Sequence, residues 1–468
     1  LKKVELLIIG AGPAGMSAAI EAVQAGVQVT MLDENTLAGG QIFRQFHDGF
    51  HVTDPKALGH DYKRGQTLLS EFASIRNNVE YMDACLSWGI FENNEIAILR
   101  DGDSQSFCFQ KLIISTGAFD RPVPFPGWTL PGVFTAGGAQ RLVKNQQVLP
   151  GENILLVGSG PLQLALASQI LKVGGKVAGI VEAGRVENWG KLARASWGQW
   201  SLLADAARYF WEIGKARIPF LRNHIIVEAR GSGQVEEAII AEVDRNWRPK
   251  PGTEQIFKVD TVAVGYGFIP STELTQMAGC QHRYDLLRGG WIVDRRENMK
   301  TSLPDVFAAG DCTGVAGSLV AIDEGRIAGL AVAQALGYLT KTDAQQRMHP
   351  YYKRLARSKR FREVVDTISF PRPGLYELPR NDTMICRCRE IPFGEIQEVL
   401  QEETEDMNEI KRRLGTGMGP CQGRMCGPAI QAIVAQKKKI DPANLGFLNP
   451  RPPLKPVELS ALADHTQL

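Results

Sequence analysis

No stretch of the 468 residues strings together the roughly eighteen apolar side chains that a bilayer-spanning helix needs, so the sequence predicts no membrane span. Neither sign of charge is in excess: 53 basic residues face 51 acidic ones, and a net charge of +2 argues against a nucleic-acid binder. The longest basic run, Lys437-Lys438-Lys439, reads as a helix end, where cations suit the dipole. Histidine is scarce. His47, His51, His60, His224, His282, His349 and His465 are dispersed without metal-ligand spacing and read as structural or exposed. No Ser/His/Asp arrangement and no paired acid/base motif stands out. Cys85, Cys108, Cys280 and Cys312 are isolated and read as buried, inert thiols.

Glycine is plentiful, with 48 residues, which suits tight phosphate-binding turns in a chain long enough for two to four domains. Leu1-Lys2-Lys3 followed by an apolar run mimics a signal peptide, but the run passes straight into a glycine motif. It reads instead as a first strand over 4–9, followed by Gly10-Ala11-Gly12-Pro13-Ala14-Gly15, a helix over 16–24 and a second strand over 27–32. In such a βαβ unit Gly10 turns the chain, Gly12 lets the backbone approach a pyrophosphate and Gly15 lets the helix pack on the strand. Asp33, with Glu34 beside it, is placed to hold the adenosine ribose.

The pattern recurs. A strand over 153–157, the turn Gly158-Ser159-Gly160, a helix over 162–173 and a strand over 177–181 form a second unit ending at Glu182. Gln163 stands where a third glycine belongs and should hinder helix packing. Further strands are expected over 111–115, closing at Thr116-Gly117, over 260–264, closing at Gly265, and over 306–309, closing at Gly310-Asp311. A helix over 319–336 follows the last of these. The aromatic segment 195–215, holding Trp197, Trp200, Tyr209, Phe210 and Trp211, reads as an amphipathic helical insertion packed into a core.

The expected fold is α/β, with two Rossmann-like nucleotide-binding domains and a small C-terminal cysteine-bearing domain. The first domain takes 1–120 and 295–340, the second 121–294, a linker 341–380, the cysteine unit 381–440 and a Pro-rich extended tail 441–468. In the cysteine unit, Cys386-Arg387-Cys388 and the Cx4C pair Cys421 and Cys426 are separated by 32 residues. In an extended segment the first two thiolates would face one way, and Gly415, Gly417 and Gly419-Pro420 would turn the second pair toward them. Four thiolates suit structural zinc or a [2Fe-2S] cluster in a reducing compartment. A cytoplasmic chain follows, soluble or peripheral at the inner face of the plasma membrane.

Thr301 to Asp311 resembles the second FAD signature of glutathione-reductase-like flavoproteins, in which the aspartate holds the ribityl chain. Gly39-Gly40-Gln41 resembles the loop beside the flavin pyrophosphate. The resemblance therefore implies a cofactor-binding set of Gly10, Gly12, Pro13, Ala14, Gly15, Asp33, Glu34, Gly40, Gln41, Thr116, Gly117, Gly310 and Asp311. Gly158, Gly160, Glu182 and Gly265 would form a second nucleotide site. Disulfide reductases of this fold carry a cysteine pair beside the flavin; residues 36–50 and 130–150 hold none, which excludes that chemistry. Cys386, Cys388, Cys421 and Cys426 resemble the ligands of bacterioferritin-associated-ferredoxin-type [2Fe-2S] domains, although the second pair there is CxxC.

Taken end to end, the chain resembles the α-type subunits of heteromeric bacterial amino-acid and opine dehydrogenases, most diagnostically at Gly417-Met418-Gly419-Pro420-Cys421-Gln422-Gly423-Arg424-Met425-Cys426. The resemblance implies an electron relay within a membrane-associated or dye-linked dehydrogenase, with no general base of its own. A D-amino-acid-oxidase-like β subunit, in some complexes with a further small subunit, oxidises a C–N bond, and a quinone or dye accepts the electrons. It also admits an FMN at the subunit interface and ATP or NAD in the second domain. The competing reading is a self-contained NADH-dependent reductase using Gly158 to Glu182.

Overall fold

The computed structural model describes residues 1–46, 49, 50, 59–402 and 406–465, with backbone only for 59–61, 464 and 465. His47 and His51, and the side chains of His60 and His465, lie outside the described residues. The chain divides into two compact units: Leu1–Phe119 with Ile269–Arg362 and Asn449–Leu468, and Asp120–Phe268 with Glu363–Leu448.

The first unit is built on a sheet ordered Val79–Met82, Val29–Leu32, Lys2–Ile9, Asp103–Ile114, Glu95–Arg100, Leu86–Phe91. The first four of these strands run parallel, and the last two return antiparallel. Val306–Ala308 joins the far edge of the long strand at Leu112–Ile114, so the expected strand 111–115 is the end of a twelve-residue one. Strand Lys2–Ile9 is sealed over its second half: Leu6, Leu7 and Ile8 have no exposed surface, as the apolar run of a parallel strand covered on both faces requires. Helices Pro13–Gln24 and Ser318–Ala335 cover one face, and their contact is unusually close. A Cβ on Gly325 would lie 2.0 Å from the Ala14 carbonyl oxygen, and one on Gly329 would lie 2.3 Å from that of Ala18. The two backbones touch because glycine faces alanine twice at four-residue spacing.

The segment 341–380, expected to be a linker, differs most from expectation. Lys341–Ser369 is one 29-residue helix that contains Pro350. Its narrow stripe of Ala344, Met348, Tyr351, Tyr352 and Leu355 packs on the first unit's core. Tyr351 donates to Glu21 (2.6 Å), and the Arg354 guanidinium bonds both oxygens of Asp323. Phe361, Val364, Val365 and Ile368 follow near its end, but the helix is otherwise polar and reads as a linker by composition alone. The unit boundary also shifts, from 294 to Phe268, because Leu274, Cys280 and Val293 are buried with Val4 and Leu7. The tail is not wholly extended: Leu459–His465 is helical, Leu454 is buried, and Lys455 forms an ion pair with Glu34.

The second unit carries a wholly parallel sheet ordered Phe220–Arg222, Lys176–Glu182, Asn153–Gly158, Thr261–Gly265, Val133–Thr135, beside an antiparallel three-stranded sheet over 224–258. The cysteine module shares its core: Ile385, Cys386, Cys426 and Ile430 are buried in one cluster with Val264 and Tyr266. Trp128 donates its indole N–H to the Met384 carbonyl (2.6 Å), and the Arg387 guanidinium lies over its ring.

The helix–helix contact sets a test. Gly325→Ala forces the backbones apart and should cost about 1–3 kcal/mol, read as a fall of several degrees in thermal midpoint. Gly214→Ala, at an exposed helical position with open space, should leave the midpoint unchanged or raise it.

Candidate functional site

The first glycine turn is held from beneath. Gly10 has φ +99°, and a Cβ there would lie 2.5 Å from the Ser115 carbonyl oxygen; one on Gly15 would lie 1.8 Å from that of Gly10. Gly12 is different. A Cβ there would meet nothing nearer than the Gly40 Cα at 3.7 Å, so the protein itself does not require glycine at this position. Space left open above a helix N-terminus, with Pro13 at its first position, is what a pyrophosphate needs. Gly40, with φ +62°, brings the 39–41 loop to the same turn, and a Cβ on it would lie 2.8 Å from the Gly12 Cα. Gln41 is exposed and accepts from Arg44.

Asp33 is buried and already occupied. Its Oδ2 accepts from the Ala11 N–H (2.5 Å), and its Oδ1 accepts from the Asn35 backbone and side-chain N–H groups (2.8 Å each). It thus fixes the turn as much as it could hold a ribose. Glu34 is exposed in its ion pair with Lys455. Thr116 donates to the Ser271 carbonyl (2.8 Å), whereas Gly117, φ +72°, borders open space.

Opposite the turn, Gly310 has φ +83°, and its Cβ would lie 2.9 Å from that of Ala14. Asp311 Oδ1 accepts from the N–H groups of Ala316 (2.9 Å) and Gly317 (3.0 Å), which orients the carboxylate ahead of helix Ser318–Ala335. Sequence reasoning missed what holds this segment. The buried Glu324 accepts from the Gly310 N–H (2.9 Å) and the Thr313 hydroxyl (3.2 Å) and is paired with Arg295. A buried carboxylate with three donors is a fixed strut, since leaving any of them unpaired is costly. Its signal was Asp323-Glu324-Gly325-Arg326 inside a mostly apolar helix, with Gly329 four residues on from Gly325.

The second glycine turn is contacted by the chain itself. Ser159 donates its hydroxyl to the Ser369 carbonyl at 2.6 Å, and a Cβ on Gly160 would lie 3.2 Å from the Ser369 Oγ. The last residue of helix Lys341–Ser369 therefore sits where the second glycine of such a motif opens space for phosphate. Glu182 accepts from the Gly160 (3.1 Å) and Gly184 (2.7 Å) N–H groups, and burial pushes its carboxyl up to about 7. Gln163 does not hold the helix off, as expected from its size. Its amide is buried between Gly158 and Gly265 and donates to the Gly265 carbonyl (2.6 Å), replacing a glycine contact with a hydrogen bond.

The four cysteines meet. Cys386 is hydrogen-bonded to Cys426, and Cys388 to Cys421. Cys386 ends its strand and Cys388 lies in the following turn, so the turn and not the pleat brings them together. Cys386 and Cys426 are 1% and 0% exposed, whereas Cys388 is exposed and Cys421 half-buried. The Cys386 thiol is drawn down to about 6, first by the bond from Cys426 and then by N–H groups of Arg389, Gly417 and Cys388, against the opposing effect of burial. Gly417, Gly423 and Gly427 close over Leu448, and Gly419 lies against Cys388. Leu448, assigned by sequence to the tail, is thus the floor of the cysteine loop. Among the described residues no three His, Cys, Asp or Glu side chains surround one point as a single ion requires. A two-iron cluster takes only two thiolates per iron, and four thiols with backbone donors fit it. His282, bonded to Thr275 and the Cys280 carbonyl, is structural.

Residues 4–337 match the pyridine nucleotide-disulphide oxidoreductase family, and residues 384–436 match the BFD-like [2Fe-2S] binding domain. The chain belongs to that oxidoreductase family. It is an FAD-dependent oxidoreductase with a C-terminal [2Fe-2S] domain. It is 33% identical to the hydrogen cyanide synthase subunit HcnB of Pseudomonas protegens, over 98% of both chains. It is 31% identical to an opine oxidase subunit of Rhizobium meliloti, over 98% of this chain and 87% of that one. In fold it is similar to L-proline dehydrogenase from P. horikoshii, with a TM-score of 0.70, 20% identity and coverage of 98% and 79%. No helix among the described residues is long and apolar enough to cross a membrane.

Two substitutions separate the cofactors. Gly12→Val should expel FAD while circular dichroism and the cluster absorbance persist; Cys421→Ser should abolish the cluster signal and leave FAD bound. Loss of both cofactors in either variant would refute separate sites.

The Glu182 carboxyl sets a pH test. Its folded value of about 7 lies above the 4.5 of an unperturbed glutamate, so the folded chain holds that proton more tightly. The resulting stabilisation is full below about pH 4.5 and is lost as pH rises through 7. Across that window Glu182→Gln should flatten the decline in thermal midpoint seen for the wild type. Parallel slopes would mean that the group titrates normally.

Proposed function

We propose that this chain is the electron-transferring subunit of a heteromeric dehydrogenase that oxidises the C–N bond of an amino acid or opine, of the proline, hydroxyproline, opine or glycine class. The partner is a D-amino-acid-oxidase-like flavoprotein, and the acceptor is a quinone or dye. Oxidation of an amine to an imine releases two electrons and two protons. When bound, FAD takes up electron pairs and a [2Fe-2S] cluster passes electrons singly. This chain's residues hold, orient and shield. Gly10, Gly12 and Gly15, with Gly40, would cradle the pyrophosphate; Asp311, braced by Glu324, would hold the ribityl chain; Cys386, Cys388, Cys421 and Cys426 would hold the irons.

The observation that carries this reading is the end-to-end likeness to named subunits of an opine oxidase and a hydrogen cyanide synthase. Ser369 on the Ser159-Gly160 turn supports it against a self-contained NADH reductase, because a nicotinamide dinucleotide would have to displace a helix end. Anaerobic absorbance decides between the two. NADH should leave the flavin of the isolated chain oxidised, and an amine substrate should bleach it only when the partner is present. Rapid bleaching by NADH alone would overturn the proposal in favour of a reductase.

A further inference from the structure

The aromatic segment expected to pack into a core does the opposite. It forms two helices, Trp189–Ser196 and Trp200–Lys215. The second turns Asp205 and Ile213 inward and leaves Trp200, Leu203 and Trp211 on the solvent side, together with Trp189, Trp197 and Phe210. Trp197 is 76% exposed and Trp211 65%. Half of the chain's eight tryptophans therefore lie exposed within 23 residues, although each could bury a large apolar area.

The charges are sorted as sharply as the rings. Between Trp189 and Arg217 both acids are taken up internally: Asp205 is buried against Arg208, and Glu212 pairs with Lys172. Every exposed charge in that stretch is a cation: Lys191, Arg194, Lys215 and Arg217. Lys215 lies over the Trp211 ring, 5.3 Å from its centroid. Glu187, the exposed acid just before the stretch, acts on Arg372. A protein partner presents both signs of charge, whereas a surface that turns its acids inward matches a plane of one sign. Tryptophan, with an apolar body and one N–H donor, suits headgroup depth, and lysine and arginine beside it meet lipid phosphate.

We infer that residues 189–217 are an interfacial membrane-binding element that lays the second unit on an anionic bilayer without crossing it. The occupant is the phospholipid surface itself, through ring insertion and cation–phosphate contact. Each cation held near an anionic leaflet should strengthen adhesion about fivefold, and molar salt should weaken it.

The full chain, loaded with its cofactors, should sediment with vesicles of phosphatidylcholine containing one-third phosphatidylglycerol, and far less with phosphatidylcholine alone. Trp197→Ser/Trp200→Ser/Trp211→Ser should weaken binding at least about tenfold, with flavin absorbance and thermal midpoint unchanged because all three rings are exposed. Lys191→Glu/Arg194→Glu/Lys215→Glu should erase the preference for phosphatidylglycerol. Two results would overturn the inference. One is a wild-type chain that ignores both vesicles. The other is a wild-type dimer that the tryptophan variant makes monomeric without changing vesicle binding, which would assign the face to a second copy of the chain.

Discussion

Two helix backbones in van der Waals contact govern the first unit. Helices Pro13–Gln24 and Ser318–Ala335 are separated by about 300 residues of sequence, yet Gly325 and Gly329 press directly on the carbonyls of Ala14 and Ala18. That proximity brings the start of the second helix, with Asp311 ahead of it, to the Gly10–Gly15 turn, where Gly310 lies against Ala14. Larger side chains along the contact would move the aspartate from the turn by ångströms, and a ligand bridging them would lose one end. Glu324 adjoins the contact glycine Gly325 and also ties down Gly310, so the packing of the helices and the aim of Asp311 are set by neighbouring residues.

What was legible follows from how local each signal is. Strand Lys2–Ile9, its glycine turn and its helix announce themselves because apolar period, turn and helix start are consecutive. Cys386, Cys388, Cys421 and Cys426 were legible for the same reason, each pair being short in sequence. What escaped was tertiary. Ser369 meets Gly160 across 209 residues by number, and Leu448 meets the cysteine loop from a segment whose prolines suggested an extended tail. The helix Lys341–Ser369 escaped because its buried stripe is narrow and its remaining surface charged. Its signal, Ala344, Met348, Tyr351 and Leu355 at helical spacing, was present but outweighed by Pro350.

Gln163 and Glu182 show how one fold can keep its shape while the surroundings of its glycine turn differ. A third glycine would let the helix approach; Gln163 achieves the approach by placing its amide on the Gly265 carbonyl, so the βαβ geometry survives. Glu182, which would hold a ribose in an open site, instead receives the Gly160 and Gly184 amides. A motif scan sees two glycines and an acid in both units. The difference lies in what each glycine faces: open space at Gly12, a serine at Gly160.

The four cysteines differ in their surroundings. Cys386 and Cys426 are sealed in the same core as Tyr266 and Val264, whereas Cys388 reaches solvent and Cys421 is half-buried. A cluster held by such a set would be better shielded on its Cys386 and Cys426 side than on its Cys388 side. Backbone donors concentrate on Cys386, which receives those of Cys388, Arg389 and Gly417, and hydrogen bonds to ligand sulfur favour the electron-rich reduced state. Burial acts in the opposite sense, because added negative charge is poorly solvated there. Both effects would act most on the inner side, and the exposed Cys388 would mark the side of such a cluster nearest to solvent. Gly419 is pressed on Cys388, where a Cβ would lie 2.4 Å from the Cys388 Cβ, so any side chain there would push the loop outward.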